Sequence, residues 1–151
     1  MSSNRQKLLL SIRPEWCRKI TNGEKTIEIR KSKPKLDTPF RCYIYCTKGE
    51  ELWLSGIIGK TKAQQLNGKV IGQFTCSEVI PIEIFENGII RSYNDYDLDK
   101  SCVKYSDIVK YIGAGKTGYG LLISDFKVFD KPRDISEFGL SRAPQSWAYV
   151  E

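Results

Sequence analysis

Histidine is absent from this chain of 151 residues, and methionine occurs once. Without imidazole, a zinc site would rest on cysteines and carboxylates alone. The five cysteines, Cys17, Cys42, Cys46, Cys76 and Cys102, are odd in number, and Cys42 and Cys46 form CYIYC rather than CxxC. Such spacing matches no zinc pattern, so no metal and no cofactor are expected. Reduced, mostly buried thiols in a cytoplasmic protein are the expectation instead. Long apolar runs are missing as well: none approaches the roughly 18 residues of a membrane-spanning helix. The start, MSSNRQKLLLSIRPEW, contains only LLL as an apolar run. It therefore does not read as a signal peptide, and no membrane partner is expected.

What is present is the composition of a water-soluble domain, 40% hydrophobic and 28% charged. The length suits a single domain over residues 1–151, large enough to bury a core without disulfides. The net charge of +6 is uneven. Residues 1–35 carry ten Lys/Arg against three Asp/Glu, and residues 36–151 carry fourteen against fifteen. A local basic excess is the electrostatic footprint of a polyanion site, and equally of a solvated surface.

Lys7–Ile12 reads as a strand broken by Arg13-Pro14. Pro14 suits the first position of a helix, whose side would carry Trp16, Cys17 and Ile20 and whose stop is Asn22-Gly23. Lys25–Arg30 is the next strand, with Thr26, Glu28 and Arg30 on one face and Lys25, Ile27 and Ile29 on the other. Cys42, Ile44 and Cys46 alternate with Tyr43 and Tyr45 in a further strand. Residues 48–68 are ambiguous, with a short helix possible over KTKAQQLNG. Lys69–Glu86 is rich in strand formers and is divided by a bend or bulge at Pro81. Asn87-Gly88 signals a hairpin into Ile89–Tyr93. Ser106–Ile112 reads as a helix capped by Ser106 and ended by Gly113. Gly118–Phe129 is another strand, and the apolar tail to Glu151 packs back on the body. The sum is an α+β chain, mostly β: a small curved β-barrel of about six strands with two or three short helices at its edge.

The segment Gly23–Arg30, GEKTIEIR, fits the pattern G-x-K-x-x-E-x-R. In order with SIRPEWCRKI before it, PFRCYIYCTKG and GKVIGQFTCSEV after it, and APQSWAYVE at the end, it resembles the ASCH domain, a branch of the PUA-like superfamily, in its prokaryotic and phage forms. The resemblance covers nearly the whole chain. It implies a PUA-like barrel with a cleft beside the first helix and a role in binding RNA or another nucleic acid, DNA included, or a nucleotide. Some small bacterial relatives hydrolyse acetylated cytidine and others are described as nucleases. In the amidohydrolase-type relatives the motif lysine is followed three positions later by threonine; here Glu28 stands at that position.

The ligand-binding candidates are Arg13, Trp16, Lys25, Glu28, Arg30, Lys116, Tyr119, Gln145, Ser146 and Trp147. Lys25 would meet phosphate as a point charge. Glu28 and Arg30 share a strand face, either as a pair orienting a ligand or as a surface ion pair. Trp16, Tyr119 and Trp147 offer stacking planes, worth about 1–3 kcal/mol per base. The alternative for Trp16 and Trp147 is a place in the core. Gln145 and Ser146 have donors and acceptors for a base edge. GAGKTGYG (113–120) lacks the P-loop spacing and reads as a loop placing Lys116 near phosphate. In an alternative reading the protein is a metal-independent hydrolase of a modified nucleoside or RNA, with Lys25 and Glu28 catalytic and Glu78 a possible second acid. A third reading is a protein-interaction or regulatory domain.

Overall fold

The first and last strands of the chain lie side by side, and the rest of the sheet is built outward from them. The computed structural model describes residues 6–49, 53–54 and 64–151. β1 (Lys7–Ile12) pairs in parallel with β3 (Phe40–Cys46) and antiparallel with β9 (Trp147–Val150). A parallel pair needs a crossover. α1 (Pro14–Thr21), β2 (Ile27–Arg30) and the loop 31–39 supply it. β6 (Lys69–Ile84) joins β3 to β8 (Thr117–Arg133), and β8 carries β2 on its other edge. The order is β2-β8-β6-β3-β1-β9, with β7 (Ile90–Ser92) also paired to β6. β4 (Trp53–Leu54) and β5 (Gln64–Gln65) form a separate two-residue ladder. α2 (Tyr105–Ile112) precedes β8.

Among the described residues the fold is mostly β with two α-helices, as expected, but the strands are more numerous than six. The described pairings run as an open path, and none joins β2 to β9, so the closure of a barrel is not among them. Gln64–Gln65 is extended, in the segment whose sequence was ambiguous and allowed a short helix. α2 starts at Tyr105 with Lys104 as its N-cap residue and no side-chain cap bond, so Ser106 is not the cap. Pro81 does not divide β6: the register shifts against β8 lie earlier, the last of them between Cys76 and Val79. β6 leaves β3 after Cys76 and meets β7 only at Ile82, so Pro81 sits where one side of the strand is an edge. An edge tolerates the missing N–H.

β3 is buried on both faces except at Arg41. Cys42, Ile44 and Cys46 face a core with Leu8, Leu10, Ile12, Cys17, Ile20 and Phe74. Tyr43 and Tyr45 face a second layer with Leu9, Val70 and Val150, covered by Phe129, Phe138 and Leu140. Phe129 belongs to β8, and Phe138 and Leu140 to the tail, which packs back as its composition implied. A third cluster joins Ile27 and Ile29 of β2 to Ile80 and Ile82 of β6 and to Ile108 and Ile112 of α2. Each such side chain contributes about 1.5–3 kcal/mol on burial. The third cluster has a positional consequence: it holds α2 against β2.

Candidate functional site

The turn at Gly23, with φ +85°, releases the chain from α1 and sends it straight into β2. Lys25 falls in between. Its backbone N–H donates to Lys19 O at 2.9 Å, and the next, from Thr26, donates to Lys100 O at 2.9 Å. Two separate elements thus fix the backbone here, and strand alternation does not govern where Lys25 points. Its side chain is only 2% exposed. Nζ donates to Ser101 O at 2.7 Å, lies 3.4 Å from Glu28 Oε1 and stands 4.9 Å over the Trp16 ring. The ammonium thus has a hydrogen bond, an ion pair and a cation–π contact.

Glu28 uses its other oxygen, Oε2, to accept from Arg30 Nε at 2.9 Å. Arg30 then reaches further. Nη1 donates to Ser146 O and Oγ at 3.2 and 3.0 Å, and Nη2 donates to Ser11 O at 2.8 Å. One guanidinium so ties β2 to the end of β1 and to the segment entering β9. The three charged groups form a continuous buried chain, Lys25–Glu28–Arg30, with net charge +1. Desolvating three charges is costly and is tolerated only where each is paired and hydrogen-bonded; here each is.

The chain of charges floors a cleft of about 400 Å³. One wall is Ser11, Ile12, Arg13 and Trp16; the other is Val103, Asp107, Ile108 and Tyr111. Arg13 is exposed and makes no ion pair among the described residues. Tyr111 of the lining has Lys31 Nζ 5.0 Å over its ring. Burial raises the Tyr111 phenol above its ordinary value, and the Arg30 charge opposes that rise.

Arg13, Trp16, Lys25, Glu28 and Arg30, all anticipated from the sequence, line this cleft. Ser146 touches its edge through Arg30. The others lie outside the lining. Trp147 is half-buried against the main core. Tyr119 is paired with Arg30 in the β2–β8 ladder. Lys116 is exposed beyond Gly113, and Gln145 is exposed on the approach to β9. Glu78 is exposed on the bulged part of β6 and lines no wall of the cleft, so it forms no acid pair with Lys25 there. Asp107 and Tyr111 escaped the sequence reading because their helix carries no motif. The readable signal was their i,i+4 spacing beside the apolar Ile108 and Ile112, which marks the edge of a packed helix face. Among the described residues no group of three or more Cys, Asp or Glu side chains could hold a metal. The five cysteines are free thiols.

The family model for the ASCH domain matches residues 10–106, a span that contains the whole floor of the cleft. Among solved structures, the chain is similar to ASCH from Zymomonas mobilis, with a TM-score of 0.68 at 17% identity over 97% of this chain and 89% of that one. A Tyr→Phe variant of that protein superposes with the same TM-score, 0.68, at 17% identity over 96% of this chain and 90% of its own. A curated relative, ATP synthase subunit alpha of Ureaplasma parvum serovar 3, is 24% identical over 83 residues, 55% of this chain. The chain spans only 10% of that protein's length.

Proposed function

On the premise that this chain belongs to the ASCH domain family, a PUA-like family suggested to bind RNA, we propose that it is a nucleic-acid-binding module with RNA or a nucleotide as ligand. The observation that carries the reading is the buried, net-positive Lys25–Glu28–Arg30 chain under an open cleft with aromatic sides. A cleft of about 400 Å³ lies within the roughly 300–1,000 Å³ typical of small-ligand sites. The floor is preorganised, so a ligand meets a field already in place. Arg13 in the lining and Lys31 beside Tyr111 are exposed and supply cations for phosphate, and Tyr111 supplies a ring on which a base can stack.

The engagement of the floor favours binding over hydrolysis. Lys25 is held by Ser101 O, the Glu28 carboxylate and the Trp16 ring, and Glu28 has both oxygens held. Neither is free to act as a base without breaking this chain. Lys25 and Glu28 are read here as the rigid floor of the site.

The test is fluorescence anisotropy with labelled single- and double-stranded RNA and DNA, at low and physiological salt. Arg13→Ala is the informative variant, because Arg13 is exposed and its loss leaves the floor intact. Selective binding that weakens with salt and falls severalfold in the variant is expected. Binding indifferent to both salt and Arg13 overturns the proposal. Release of product from a panel of N-acylated nucleosides by the same preparation would move the assignment to hydrolysis.

A further inference from the structure

The cleft holds one acidic group that the floor does not use. Asp107 lines it from α2, and its carboxylate has no ion pair or hydrogen bond among the described residues. A site for phosphate alone gains nothing from an acid, which repels the ligand. Glu28 already has both oxygens engaged by Lys25 and Arg30. Asp107 is therefore the carboxylate left to accept from a ligand. One turn further on, Tyr111 offers a ring beside it. Arg13, on the facing wall, offers a fork of donors.

We propose that Asp107 is the base-specificity residue of this cleft and that it selects guanine, a reading that rests on the nucleic-acid role proposed above. A carboxylate presents two acceptors side by side and no donor. On its Watson–Crick edge guanine has two adjacent donors, N1–H and the N2 amino group, and so matches both oxygens at once. Adenine, cytosine and uracil each place an acceptor next to their donor, which sets like against like at one carboxylate oxygen. Arginine in turn suits O6 and N7 of the same base. Arg13 and Asp107 together thus present the charge pattern complementary to guanine, with Tyr111 as the stacking plane. An acid in the first turn of α2 also suits the helix dipole, but that role is indifferent to the base.

The measurement is anisotropy with labelled hexauridylate and with the same hexamer carrying one G, A, C or inosine, for wild type and Asp107→Asn. The wild type is expected to bind the G hexamer about 10-fold more tightly than the others, and inosine, which lacks the N2 amino group, to lose most of that gain. Asparagine presents one acceptor and one donor, so Asp107→Asn is expected to lose the G preference and improve on A and C. Unchanged thermal melting by circular dichroism would show that the variant is folded. Equal binding of all hexamers, or a G preference untouched by Asp107→Asn, overturns this inference and leaves the binding role standing. No binding of any hexamer overturns this inference, and no binding across the RNA and DNA panel as well overturns both.

Discussion

Replacing Lys25 by methionine tests whether the buried charge chain supports the fold as well as the site. Methionine keeps most of the aliphatic stem, so little cavity is created and the loss is mainly electrostatic. Removing one partner of a buried ion pair costs about 3–5 kcal/mol. Ser101 O, deprived of its 2.7 Å donor, adds about 1–3 kcal/mol if no water reaches it. Against this, Glu28 keeps Arg30 at 2.9 Å, so no carboxylate is stranded. The lower end applies, and a loss of about 3 kcal/mol is expected. For a chain of this size that corresponds to a fall in Tm of about 6–12 °C. Urea denaturation followed by tryptophan fluorescence and by far-UV circular dichroism would measure it, Trp16 reporting directly from beneath Lys25. Glu28→Gln and the double variant complete a cycle whose coupling should exceed about 1 kcal/mol. A single-variant loss below about 1 kcal/mol, or a coupling near zero, would refute the view that the three charges act as one buried unit.

Arg30→Lys keeps the charge but cannot hold Glu28, Ser11 and Ser146 together; amide exchange at residues 146–148 should quicken, and unchanged exchange there would show that the guanidinium does not clasp the tail. The 3-10 turn Ile135–Phe138 is closed by a reciprocal cap between Asp134 and Glu137. Hydrogen bonding from the Ser136 backbone lowers the Asp134 carboxyl, and bonding from Arg133 lowers that of Glu137. Because both folded values are depressed, the cap is at full strength above the ordinary carboxylate range and is lost as pH falls through the folded values. NMR titration should give midpoints below the ordinary 3.8 and 4.5, and midpoints at or above them would contradict the cap. Iodoacetamide on the native protein should alkylate Cys102 alone, since burial raises the thiols of Cys17 and Cys42 and pushes Cys76 up to about 12, while Cys46 is fully buried. Intact mass showing several adducts before unfolding would argue against such a closed core.

Much of the chain could be read from neighbours in sequence, because the forces involved act over a few residues. Pro14 and Gly23 bound α1 since one lacks a donor that the first turn does not need and the other adopts a positive φ. Alternation in residues 42–46 marked β3, Asn87-Gly88 marked the β6–β7 hairpin, and Glu28 and Arg30 were legible as partners two apart on one strand face. The GEKTIEIR motif named the residues that line the floor of the cleft. Other features rest on contacts between residues far apart in the chain. Lys25 was legible as a cleft residue, but the partner that holds its buried ammonium, Ser101 O, lies 76 residues away. Ser146 joins the site because Arg30 reaches it across 116 residues. Asp107 and Tyr111 became cleft walls only when isoleucines of α2 packed on those of β2. Pro81 was read as a break, yet β6 runs through it because its neighbour on one side had already departed. In each of these cases a local preference was outweighed by burial or pairing, whose free energy depends on partners brought close only by the complete sheet.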